Sequence, residues 1–230
     1  MGVITVSSEL GTGGVEIAGR VAAELGYAFV DEHTCDRILR QYGLTKFKEL
    51  YDSGPSLLDL VRVENLLVIS MYNEILEALA RRGRVVILSR VGFAVLGGYT
   101  DALNVHVVAP MAQRVRRMMA SHGLTDAAAA EEHLREDDTG HGNFVHRFYN
   151  RPSDEPAGYG LTVDTGLASV DDATRQVVEA ARAAFRTSAV AGATTTAAIE
   201  VDPVLASAIA DVMEEPVPGT TASDQAAGTP

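Results

Sequence analysis

The chain of 230 residues holds a single cysteine, Cys35, so no disulfide framework can staple it, and a reducing compartment suits it. Lysine is nearly as scarce: only Lys46 and Lys48 are present, so an anion gripped by side chains must be met by arginine. Residues 187–230 have no basic side chain at all and carry six acidic ones, half of the formal charge of −12. The remainder is also acidic overall, and a body of that sign offers no broad face to duplex nucleic acid, so no nucleic-acid partner is expected. Long apolar runs are missing too. The longest candidate, "LLVISMYNEILEALA", is broken by Asn73, Glu74 and Glu77, and no membrane span is expected. The N-terminus lacks a basic region followed by a long apolar stretch, so no signal peptide is expected. Val6 stands where N-myristoylation prefers Ser or Thr. These absences favour a cytoplasmic location. What is present is 47% apolar residues, enough for one sizeable α/β domain.

Five short apolar runs read as strands: "GVITVS" (2–7), "YAFV" (27–30), "RVVILS" (84–89), "NVHVVA" (104–109) and "GLTVD" (160–164). Most are apolar on consecutive residues, as strands covered on both faces are. Helical patterns separate them. Val15, Ala18, Val21, Ala22 and Leu25 share one face of the first helix, and a long helix runs from about Pro55 to Arg82 before Gly83 closes it. Others fall near 33–42, 111–121, 125–137 and 169–186. This alternation predicts a parallel sheet with right-handed crossovers. Residues 138–158, rich in Gly, Asp, Pro and Arg, show neither periodicity and read as a long loop or small lid. After Arg186 the composition turns to Ala, Thr and Pro, too poor in apolar surface to order itself, with one short helix possible over Pro203–Met213.

The segment "VITVSSELGTGGVEIAGR" (3–20) joins a strand, a glycine-rich loop and an amphipathic helix. Free N–H groups at such a helix start, with the positive end of the dipole, suit an anion, and glycines let the backbone approach it. The Walker A spacing can be laid over Ser8 to Val15, but Gly14 then stands for the lysine and Val15 for the hydroxyl residue. A dinucleotide fingerprint is the rival: Gly11 and Gly13 supply two glycines and Asp31 the ribose acid, but Glu16 replaces the third glycine. A plain tight turn, with Glu16 favourable at a helix N-terminus, is the third reading.

The rest of the chain favours the first. The succession of "VITVSSELGTGGVEIA", "FVDEHTCDRIL", "VVILSRVGFAVL", "NVHVVAPMAQRVRRMM", "HRFYNR" and "LTVDTGLASVDDA" resembles the cytidylate kinase-like P-loop proteins over residues 3–186. That resemblance implies a P-loop kinase-like three-layer α/β/α domain over 1–186, with a five-stranded parallel sheet, a lid at about 138–156 and an unstructured acidic tail over 187–230. It also implies roles. Ser8, Gly11, Thr12, Gly13 and Gly14 would wrap the donor phosphates of ATP, with Arg114 and Arg117 on the basic helix beside them. Asp31 would orient the acceptor or a hydrated Mg²⁺, Arg90 would grip the acceptor phosphate, and Arg147 and Arg151 would close over the transferred group. Glu9 and Glu16 fit less easily: either Mg²⁺ bridges them to the nucleotide, Glu16 being the candidate ligand, or they weaken anion binding. Relatives carry a basic residue where this chain has Val15. The function implied is ATP-dependent phosphorylation of a nucleoside monophosphate, CMP first, or a similar small acceptor. The alternative is a nucleotide-binding regulatory protein without transfer chemistry.

Overall fold

Strand-forming apolar runs pair as one parallel sheet of five strands in the order β2-β3-β1-β4-β5. The strands are β1 Val3–Ser8, β2 Ala28–Val30, β3 Val85–Leu88, β4 Ala102–Val108 and β5 Leu161–Asp164. The computed structural model describes residues 2–45, 47, 50, 62–187 and 193–214. Among these, the helices are α1 Gly14–Leu25, α2 Glu32–Gln41, α3 Val63–Arg82, α4 Gly92–Leu96, α5 Met111–His122, α6 Ala127–Tyr149, α7 Val170–Thr187 and α8 Pro203–Glu214.

Central β1 is paired with β3 from Val3–Val85 to Val6–Leu88 and with β4 from Val3–Ala102 to Ser8–Val107. Side chains alternate across a strand, so Ile4 and Val6 pack with Ile17, Ala18 and Val21 of α1 and Val177, Val178 and Ala181 of α7. Val3, Val85 and Ile87 face the other layer, where Ile38 and Leu39 of α2, Tyr72, Ile75 and Leu79 of α3 and Phe144 of α6 are buried. The result is a three-layer α/β/α body. The chain places β3 on one side of β1 and β4 on the other. At such a switch point the loops beyond the strand C-termini part and leave a crevice. The glycine loop follows β1 into that crevice.

Two expectations change. The helix expected to stop at 137 runs on to Tyr149 and takes in most of the stretch read as a lid loop. Gly140 and Gly142 hid a helical row, for Leu134, His141, Phe144 and Val145 are all buried on one side of α6. Burial of that row outweighs the roughly 1 kcal/mol that each glycine costs a helix. Asn150 in the left-handed region then ends it.

The second change concerns the stretch after Arg186. Residues 193–214 are built onto the body rather than unstructured. Thr196 donates to Asp101 through its N–H at 2.7 Å and its hydroxyl at 2.8 Å. Ile199, Leu205, Ile209 and Val212 join the core beside α2 and α3. The short helix expected over Pro203–Met213 forms as α8; what was not expected is that it docks on the body. The start of the long helix expected at Pro55 lies outside the described residues; its described part begins at Val63.

Candidate functional site

Loop geometry comes first. Gly11 and Gly13 have φ of 82° and 84°, a left-handed region costly for other residues. A Cβ on Gly14 would stand 2.2 Å from the Ser8 Cβ, so the loop and the end of β1 are in close backbone contact. The first bond of α1 runs from Ile17 N–H to the Gly13 carbonyl at 3.0 Å. The preceding N–H groups, of Gly14, Val15 and Glu16, therefore have no partner inside the helix. They form an anion-seeking tip beside the cleft, and the loop backbone fits a phosphate group. Thr12 is turned inward instead. It is fully buried, with its hydroxyl on the Glu9 carbonyl at 2.7 Å and its N–H toward the same oxygen, so it shapes the loop rather than facing the cleft.

The loop borders a cleft of about 640 Å³. Ser8, Gly11, Gly13, Gly14, Glu16, Asp31 and Arg90, all singled out in the sequence, line it together. Asp31 does two things there. Its Oδ1 accepts from the Thr34 N–H at 2.9 Å and the Thr34 hydroxyl at 2.8 Å, which caps α2, while the residue also faces the cleft. Glu16 is ion-paired to Arg20, one turn along α1, at 2.6 Å, and Arg20 also meets Asp171. Among the described residues no group of three or more His, Cys, Asp or Glu side chains gathers as a metal cage. Asp31 and Glu16 are among the carboxylates that line the cleft and would stand near a magnesium ion carried in on nucleotide oxygens.

Arginines divide into three kinds. Arg90, just beyond β3, donates to Asp137 at 2.8 Å, and both side chains are about one-fifth exposed. Arg114 is only 3% exposed and does not line the cleft. Its Nε donates to the Leu10 carbonyl at 2.7 Å, its two terminal nitrogens hold Asp138 at 2.8 and 2.6 Å, and Glu9 lies 3.3 Å away. This corrects the expectation for Arg114: it braces the loop from behind. Arg117, one turn on, does reach the cleft and ties Thr165 to the loop carbonyl of Thr12. Arg147 and Arg151, expected over the transferred group, do not line the cleft. Arg151 bonds Glu155 at 2.7 Å and lies 5.0 Å from the Phe93 ring centre.

Burial shapes the titration of two neighbours. The Glu9 carboxyl is raised above its usual range by burial, against the lowering pull of Arg114. His141 on α6, with Nε2 3.4 Å from the Arg90 carbonyl, is pushed down to about 4 by burial and then by the Arg90 charge.

Sequence reasoning did not anticipate that Asp137, at the expected end of a helix, and Asp138, at the start of the expected loop, pair with arginines, and it treated Arg114 and Arg117 alike. Their signal was the helical continuation of α6. Once the row Leu134–His141–Phe144 is buried, Asp137 and Asp138 must leave α6 toward the cleft side, where the arginines stand.

A model of the cytidylate kinase-like family matches residues 3–167. A cytidylate kinase of Ignicoccus hospitalis is 32% identical over 137 residues, covering 58% of this chain and 73% of that protein. A uronate isomerase of Corynebacterium glutamicum is 34% identical over 106 residues, 46% of this chain, but the chain spans only 20% of that protein's length. Among solved structures, an uncharacterized protein from Eubacterium ventriosum superposes with a TM-score of 0.65 over 79% of this chain and 98% of its own, at 15% identity, a likeness of fold.

Proposed function

The chain belongs to the cytidylate kinase-like family, and from that premise we propose that it transfers a phosphoryl group from ATP to a small acceptor, a nucleoside monophosphate with CMP the first to test. The observation that carries this reading is the convergence of the glycine loop, Asp31 and Arg90 on one cleft. Magnesium-bound ATP would supply the transferable phosphoryl group, with the metal neutralising its oxygens. The N–H groups at the tip of α1 hold the donor phosphates by hydrogen bonds and dipole. Arg90 orients the acceptor phosphate through its planar fork. Asp31, fixed by Thr34, orients the acceptor or a hydrated cation. Arg117 holds the loop in shape through Thr12 and Thr165.

A specific observation favours a second reading. The described arginines nearest the loop already have carboxylate or carbonyl partners, and Val15 supplies no cation. Such a site suits a regulator that binds nucleotide without transferring phosphate. Incubation with ATP, Mg²⁺ and a panel of nucleoside monophosphates separates the two. A kinase turns over at least one of them, and Arg90→Ala lowers that turnover on the order of a hundredfold. ATP binding with no turnover of any acceptor establishes the regulator.

A further inference from the structure

Beside Arg90 stands a carboxylate where the acceptor's phosphate is to bind. Arg90 Nη2 donates to Asp137 Oδ1 at 2.8 Å, and both residues line the cleft. A guanidinium takes carboxylate and phosphate through the same planar set of N–H donors. Asp137 and an acceptor phosphate therefore need the same fork. The adjacent pair shows the difference. Asp138 holds Arg114 through two nitrogens, and Arg114 is sealed away from the cleft, so that carboxylate has no competitor. Asp137 is met through Nη2, at a pair about one-fifth exposed and open to ligand.

We infer that Asp137 is an internal competitor that sets the affinity threshold for phosphate ligands, occupying Arg90 until a phosphate-bearing acceptor displaces it. The inference rests on Arg90 being the acceptor arginine of the proposed function. Displacement leaves the Asp137 carboxylate without its partner, a cost that every phosphate ligand meets. Inorganic phosphate has nothing to set against that cost. A nucleoside monophosphate does, because its base and sugar make contacts of their own in the cleft. The opposing carboxylate therefore weakens every phosphate ligand alike, and a ligand with further contacts is the one that still binds at low concentration. Its replacement tells a competitor from a positioning group: removing a competitor strengthens phosphate binding, whereas removing a positioning group weakens it.

The test is calorimetric titration of wild type and Asp137→Asn with inorganic phosphate, CMP and cytidine, alongside melting curves. Asp137→Asn is expected to bind phosphate and CMP roughly threefold to tenfold more tightly, with cytidine unchanged. Equal or weaker phosphate binding by the variant, or none at all, overturns the inference. The gain should vanish in the Arg90→Ala/Asp137→Asn double variant; a gain that persists there overturns it as well. Should Asp137→Asn fail to fold, Asp137→Ser is read by the same comparison. Turnover with ATP is measured separately. Its absence sinks the kinase reading while the order of phosphate affinities still decides the role of Asp137.

Discussion

On the loop side of the cleft, Arg114 holds Asp138 with two nitrogens and is 3% exposed; on the acceptor side, Arg90 meets Asp137 and is about one-fifth exposed. The two carboxylates are consecutive on α6, so sequence position and residue type hardly distinguish the pairs. Burial and second partners do. Arg114 also binds the Leu10 carbonyl and neighbours Glu9, so its charge is consumed in holding the loop. Arg90 stays where a ligand can reach it. The same ion pair is a brace in one setting and a contested ligand site in the other, and the difference is set by what surrounds it rather than by the pair itself.

The most severe disturbance of this comparison falls on the acceptor side. Its first helix, α2, is capped by Asp31 and packs against α8. Ending the chain before residue 193 removes Ile199, Leu205, Ile209 and Val212 from the core and both Thr196 bonds to Asp101. A loss of about 5 kcal/mol or more is expected in denaturant unfolding. A melting temperature unchanged by the truncation would show that α2 and α3 hold themselves, and that the acceptor side is as self-sufficient as the loop side.

Next in size is Arg114→Ala. It leaves Glu9 and Asp138 facing each other without their cation, and about 3–5 kcal/mol of stability should go. Arg90→Ala, by contrast, should cost about 1 kcal/mol in the same unfolding experiment. If the two substitutions cost the same, the division into brace and ligand group fails.

Acid should reveal the link between the sides. Burial, then the Arg90 charge, hold His141 at about 4, against 6.5 for an ordinary imidazole, so the folded protein keeps it neutral while the unfolded chain gains a proton first. Its contribution is complete above about pH 6.5 and is lost as pH falls toward 4, by about 2–3 kcal/mol. His141→Gln should flatten that part of the stability profile, measured as unfolding free energy against pH with wild type alongside. An unchanged slope would place the acid sensitivity elsewhere, with Asp137 and His106 the other titratable groups that act on this ring.

Much of this was readable beforehand where periodicity was clean. The five strands, the first helix and the glycine loop follow from apolar runs and glycine placement, and Asp31 and Arg90 were assigned by family resemblance to the ends of β2 and β3. The failures share one physical cause. In α6 the glycines at 140 and 142 and the acid at 138 looked like loop chemistry, because composition was weighed before the burial of Leu134, His141 and Phe144. In 193–214 the helix itself was anticipated, but not its docking: Leu205, Ile209 and Val212 fall on one face against a core that local composition could not reveal. Arg114 and Arg117 were placed side by side at the donor phosphates because a helical row of arginines does not say which member faces inward; packing against the loop decides that.

The smallest expected effect addresses the first turn of α1, which carries no basic side chain. Val15 is 61% exposed at the second position of α1 and borders the cleft. Val15→Lys adds an ammonium that no core packing restrains, so stability should move by no more than about 0.5 kcal/mol, a positive charge in the first turn being slightly unfavourable. Affinity for a non-hydrolysable ATP analogue should rise about threefold to tenfold in low salt, and that gain should shrink as salt screens it. The contrast with Asp137→Asn is then complete: one variant adds a cation at the donor end, the other releases one at the acceptor end, and each should leave the other end's ligand unaffected. If Val15→Lys instead strengthens CMP binding and not the ATP analogue, donor and acceptor ends have been assigned the wrong way round.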